Sequence, residues 1–217
     1  MATINKTILN REVKKLLFNK DIQDLAYQRA SREFERIKKQ ALAEFDKHPV
    51  TQEINGGIQA KNISNTLPGT KGDANLFSFI GFPEDSSPTQ EVRNILEDEI
   101  NLNRQPKSKT VSNGILFTFN VEAPTLKSIE QKTPLPWEGG RSWVRGIERG
   151  ISGLGYYLSG RFKTPEPSQS GGGIQSEYKV RAGAFTTVKY LSEILKNLKE
   201  KLKQWNRNLI IKYLLHF

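Results

Sequence analysis

Between residues 10 and 46 apolar side chains recur at steps of three and four: Leu16, Leu17, Ile22, Leu25, Ala26, Ala30, Phe34, Ile37, Ala41 and Phe45. That period predicts one long helix with a break point near Asn19, its other faces filled by charged residues. At 1.5 Å per residue such a helix runs about 50 Å, more than a small core can cover. His48-Pro49 closes it, because the residue before a proline is pushed out of the helical region. Residues 50–90 lose the period. Paired glycines, Pro68-Gly69 and clusters of Asn and Asp predict an irregular, extended stretch. Within it "NLFSFIGF" (75–82) is a short apolar run that reads as a buried strand or core plug. The helical period returns over 89–102, where Val92, Ile95, Leu96 and Ile100 share a side. Ser87 or Thr89 can cap that helix, and Glu91 suits its first turn.

Strand-like alternation is clearest in "ILFTFNV" (115–121), where Leu116, Thr118 and Asn120 oppose Phe117, Phe119 and Val121. The following "APTLKSIE" reads as its extended continuation, and "EYKVRAGAF" (177–185) as a further strand. A small twisted antiparallel sheet from 111–130 and 177–185 is therefore expected. Residues 163–173, "KTPEPSQSGGG", have the composition of a flexible insert. From 188 to 212 a last helix carries Leu191, Ile194, Leu195, Leu198, Leu202, Trp205 and Leu209 along one stripe, with lysines opposite. That stripe faces either its own core or a partner. The expectation is an α+β protein: an N-terminal helical arm (1–49), an irregular extended loop (50–90) and an α+β core (91–217). No internal repeat is evident.

"GGRSWVRGIERGISGLGYYLSG" (139–160) poses a chemical question. It has no G-x-x-x-x-G-K-[ST] loop and no G-x-G-x-x-G that follows a strand and opens a helix, so it lacks a phosphate cradle of either type. It fits a helix over 143–158, with Trp143, Ile147, Ile151 and Leu154 on one side and Gly146, Gly150 and Gly153 on an adjoining stripe. Each glycine costs a helix about 1 kcal/mol relative to alanine, and a stripe without side chains lets another backbone approach closely. Arg141, Arg145 and Arg149 repeat at the same interval and form a basic ridge. Close packing, contact with a phosphate or nucleic-acid backbone, and a flexible loop are the open readings of the segment, in that order.

Composition narrows the classes. The 217 residues include 33 Lys and Arg against 23 Asp and Glu, a net charge of +10, and only 36% are hydrophobic. Mean hydropathy is −0.57, so the core is small or is completed by partner subunits. Charge is segregated: residues 50–100 carry 3 basic and 8 acidic side chains, and residues 101–187 carry 12 and 6. Such asymmetry suits nucleic-acid contact, pairing between neighbouring copies, or simple solvation. With no cysteine there is no disulfide, thiolate or zinc-finger chemistry. The opening residues lack the apolar core of a signal peptide, and no stretch approaches the roughly 20 apolar residues of a membrane span. Synthesis in the cytoplasm and no membrane partner are the expectations. His48 and His216 lie outside any metal-ligand spacing. Glu97, Asp98 and Glu99 are adjacent, so they point to different sides of a helix rather than forming an acid–base pair. No G-x-S-x-G elbow occurs. A non-enzymatic protein without metal or cofactor is expected.

The order of segments resembles the tail-completion, or head–tail joining, proteins of long-tailed bacteriophages. A long charged helix comes first, then "NISNTLPGTKGDANLFSFIGF", then "GILFTFNVEAPTLKSIE" with "WEGGRSWVRGIERG", and finally "VRAGAFTTVKYLSEIL". The "SWVRGIERGISGLGYYL" segment is also similar to segments of neck or tail-connector proteins of contractile-tailed phages. The resemblance covers most of the chain, departing from it in the long 50–90 stretch, the 163–173 insert and the basic C-terminal segment. It implies a virion protein forming a ring, commonly a hexamer, between the portal or adaptor and the tail terminator, tube or sheath, with packaged DNA near the lumen. On this reading Phe77, Phe79, Phe82, Trp143, Gly146, Ile147, Gly150 and Ile151 belong to the assembly interface, and Arg141, Arg145 and Arg149 contact DNA or an acidic partner. A basic nucleic-acid-binding accessory protein is the alternative.

Overall fold

A computed structural model describes residues 15, 19–67, 75–111, 114–136, 138–150 and 185–208. The fold is α+β, and the chain divides into two compact units. One comprises residues 1–40, 99–123 and 197–217; the other comprises 41–98 and 124–196.

The first helix, α1, runs Lys20–Lys47. Asn19 marks its start, as the sequence break point predicts: its Oδ1 accepts from the backbone N–H of Asp21 at 2.9 Å and of Ile22 at 3.2 Å. In the first unit the period set by Ala26, Ala30, Phe34 and Ile37 is buried, together with Ile100, Phe117 and Leu198. Strands β1 (Asn101–Leu102) and β4 (Val121–Glu122) pair antiparallel. Inside them β2 (Lys107–Val111) and β3 (Gly114–Thr118) form a hairpin in register Lys107↔Thr118. Three contacts pin this β-segment to α1. The rings of Tyr27 and Phe119 lie 5.9 Å apart. Arg104 sits 5.7 Å over the Tyr27 ring and pairs with Asp24 at 3.2 Å.

Helices dominate the second unit. Residues 50–90 are not an irregular extended loop. Helix α2 (Pro49–Asn55) starts directly after α1, because Pro49 ends one helix while its fixed φ suits the first turn of the next. His48 caps α2, its Nδ1 accepting from the Val50 N–H at 3.2 Å. A 3₁₀ turn follows at Gly57–Gln59. The "NLFSFIGF" run contains a helix, α3 (Leu76–Ile80), not a strand. Asn75 caps it through Ser78 N–H at 2.9 Å, and Gly81 ends it with a left-handed φ of 82°. All five residues of α3 are buried, so its sequence carries no amphipathic period to announce a helix. Helix α4 (Pro88–Glu99) follows, with Val92 and Leu96 buried.

"APTLKSIE" is likewise helical rather than extended. Thr125 and Ser128 form a reciprocal capping box at the start of α5 (Leu126–Lys132), with distances of 3.1 and 3.0 Å. Strands β5 (Pro134–Leu135) and β6 (Glu138–Ser142) pair with an irregular register. Among the described residues the strands pair as three separate two-stranded antiparallel ladders. Ser142 caps α6 (Trp143–Arg149), accepting from the Arg145 N–H at 3.2 Å. This helix ends at Arg149, where Gly150 takes φ 91° and ψ 140°, and the remainder of the expected span, 151–158, lies outside the described residues. Residues 163–173 and 177–184 lie outside the described residues, and Phe185 is in irregular chain. Helix α7 runs Leu191–Asn208, starting three residues after the expected point. Its stripe is packed: Leu191 and Ile194 are buried in the second unit and Leu198 in the first.

Candidate functional site

The basic ridge expected from the arginine spacing is not one helix face. Arg141 lies on β6, while Arg145 and Arg149 lie on α6. A polar frame fixes their mutual position. The Thr133 and Ser142 hydroxyls are 2.8 Å apart, and the Trp143 N–H donates to the Thr133 carbonyl at 2.9 Å, tying the end of α5 to the start of α6. Between α5, β6 and α6 this leaves a cleft of about 380 Å³, whose walls include Arg141, Arg145, Lys127, Gln131, Gly146 and Gly150. Lys127, Arg141 and Arg145 are exposed. Glu130 also lines the cleft, but Arg149 sits 3.8 Å from its carboxylate and offsets its charge. With Lys127, Arg141 and Arg145 set against Glu130, the cleft lining carries a net positive charge, which favours anions.

Lys127 escaped the sequence reading, because "APTLKSIE" was assigned to a strand and its lysine to no site. The T-x-x-S spacing of Thr125 and Ser128 was the available signal.

The aromatic and glycine positions expected at an interface are interior. Trp143 and Ile147 are 2% and 0% exposed, and Gly146 is buried too. The Trp143 ring meets Phe82 edge-on at 5.6 Å and lies 6.4 Å from Tyr190. Phe77 contacts Phe82 at 5.6 Å, and Phe79 stacks on Phe185 at 5.7 Å. These rings build the core of the second unit. Gly150 serves to end α6 instead of opening a packing stripe. Ile151 lies outside the described residues.

A second cluster holds the second unit together. The Glu53 carboxylate, fully buried, accepts from Ser64 N–H at 2.8 Å and Leu76 N–H at 2.7 Å. Glu148 accepts from Ser192 N–H at 2.7 Å and Tyr190 N–H at 3.3 Å, holding the first turn of α7 by charge and hydrogen bond together. Burial pushes the Tyr190 hydroxyl far above its ordinary value, so it stays protonated and bonds Thr51 Oγ1 at 2.7 Å.

Half-buried His48 packs 4.8 Å from the Tyr190 ring. Burial lowers its pKa below the ordinary 6.5, opposed by a hydrogen bond to the Lys189 backbone and by the charges of Glu193 and Glu148. The fold therefore favours neutral imidazole, which the Nδ1 cap on α2 also requires. This contribution is complete above the ordinary value and is lost as pH falls below it, while the unfolded chain takes up its proton first. Thermal melts between about pH 8 and about pH 5 should show stability declining below 6.5. His48→Asn, which keeps a capping oxygen but cannot titrate, should flatten that decline. An equal slope in both proteins would refute the assignment.

Among the described residues no His, Asp and Glu side chains gather in threes to hold a metal ion, and no helix is long and apolar enough to cross a membrane. No family model, no curated protein and no solved structure matches this chain.

Proposed function

We propose that this protein is a structural virion component of a tailed phage, a subunit of the neck or tail-completion ring that joins the head to the tail. It acts by assembly with copies of itself and with portal, adaptor and tail proteins, not by catalysis. The order of its segments supports this reading. The basic cleft is the structural observation that carries it. Lys127 and Arg145 face solvent with no ion-pair partner among the described residues, in a chain whose residues 50–100 carry 8 acidic side chains against 3 basic ones. Charges segregated in this way complement each other between copies. Mass photometry of the pure protein should give one closed oligomer, and quantitative mass spectrometry of particles a matching copy number. A protein that is monomeric throughout and missing from particles would reject the reading.

A nucleic-acid accessory role draws on the same three cations. It requires duplex binding whose affinity falls steeply with salt, by a slope near the number of phosphates neutralised. Weak binding to a random duplex at physiological salt rules it out.

A further inference from the structure

The anion that the cleft receives can be sought within the chain itself. We propose that the acidic turn Glu84-Asp85 of one copy seats in the cleft formed by Lys127, Arg141 and Arg145 of a neighbouring copy. The inference rests on the assembly reading above and specifies the contact that makes it.

Of the described acids in residues 50–100, Glu84 and Asp85 are the exposed pair on a turn, whereas Asp98 and Glu99 end α4 and engage other groups. Glu53 is buried and satisfied within its own unit. Glu97 pairs with Arg93 at 2.8 Å. Glu91 sits in the first turn of α4, where the helix dipole already favours it. Glu84 and Asp85 are both exposed and make no hydrogen bond or ion pair among the described residues. Their turn is also stiff. Phe82 is buried before it and Pro88 after it, and the Ser86 N–H and hydroxyl both donate to the Pro83 carbonyl, at 3.0 and 2.6 Å. A rigid tip with two carboxylates loses little entropy on docking.

The cleft matches it in charge and scale. About 380 Å³ lies at the small end of ligand-binding clefts, room for a turn tip rather than for the flank of a duplex. Arginine guanidinium groups bind carboxylates in a planar, two-pronged manner. Donor and acceptor surfaces are different patches of one chain, so the contact is head-to-tail. Such contacts close into rings when the rotation between copies allows, as a neck subunit requires.

Reciprocal charge reversal tests this. Arg141→Glu with Arg145→Glu gives a chain with acidic turn and acidic cleft. Glu84→Lys with Asp85→Lys gives one with basic turn and basic cleft. Each alone should associate at least tenfold more weakly than wild type by mass photometry, because both its surfaces repel. Mixed in equal amounts they should assemble together, every turn again meeting an opposite cleft. If both variants assemble like wild type, or the mixture fails to recover, the contact is refuted while the assembly reading stands. If the wild-type chain never assembles, the assembly reading itself fails. Should the arginine variant lose duplex binding yet self-associate normally, the cleft belongs to nucleic acid and the proposal is overturned.

Cysteine pairing gives a test independent of how the reversed variants fold. The chain has no native cysteine, so Asp85→Cys and Arg145→Cys, carried on separate chains and oxidised together, should cross-link to one another and not to themselves. No mixed dimer above the level of a control pair placed elsewhere would count against the contact.

Discussion

Replacing Glu53 by alanine should destabilise the protein by about 2–6 kcal/mol, since it strands two buried donors at about 1–3 kcal/mol each. The Ser64 and Leu76 amides, 2.8 and 2.7 Å from the carboxylate, come from segments on either side of residues 68–74. One side chain on α2 thus holds the turn before that stretch and the start of α3 after it. Small domains are stable by only about 5–15 kcal/mol in total, so a loss of this size leaves little margin. Glu53→Gln should fall between, because its carbonyl oxygen can satisfy one amide while its NH₂ opposes the other. Denaturant titration measures the loss, and amide hydrogen exchange locates it: Ser64 and Leu76 should speed up more than the amides of α7. A shift below about 1 kcal/mol would show that the two amides find other acceptors.

Trp143→Ala should cost about 3–5 kcal/mol, the usual range for emptying a large aromatic site. Trp143 is among the largest fully buried side chains, and its ring bridges Phe82 to Tyr190, which in turn stacks with Phe45 at 5.9 Å. Its removal takes out a central member of that run of rings, each close pair adding about 0.5–1.5 kcal/mol beyond burial. Trp143→Phe should retain more than half of the stability. The comparison separates roles as well as sizes. An assembly residue would lower the oligomer fraction without moving the monomer's melting point, whereas Trp143→Ala should lower the melting point first. The reverse outcome would place Trp143 at an interface after all.

Regular amphipathic elements were legible in the sequence because half-buried helices print their period on it. The Ala26–Ala30–Phe34–Ile37 repeat and the Leu191–Ile194–Leu198 stripe are both buried where the pattern demands. The strand in "ILFTF" followed from its β-branched and aromatic alternation, but its hairpin partner Lys107–Val111 was not foreseen. Three things were hidden. Helix α3 is buried on every side, and a short, mostly apolar run has no period to separate helix from strand. Helix α5 depends on a capping box four residues long, a signal that the preceding strand-like run overshadowed. The stop of α6 depends on the backbone angle of Gly150, and a glycine inside a helical pattern does not announce whether it continues or ends the turn. The candidate site suffered from the last two. Arg141, Arg145 and Arg149 were picked out correctly as basic positions, but only the strand-to-helix corner at Ser142 shows that Arg141 and Arg145 line one cleft while Arg149 answers Glu130. Phe77, Phe79 and Phe82 were read both as a core plug and as interface positions, and their burial, like that of Trp143, fits the core reading: large apolar side chains look the same in sequence whether they fill a core or await a partner.

The pairing of Thr51 with Tyr190 spans 139 positions of chain, and the Thr186 N–H likewise donates to the Thr66 carbonyl at 2.7 Å. During synthesis Phe45, whose ring partner is Tyr190, therefore stays without that partner until nearly the whole polypeptide has left the ribosome. Contacts this distant slow folding and lengthen the exposure of sticky surface. A nascent chain of this kind would benefit from a chaperone, and fragments cut before Phe185 should be recovered as aggregates.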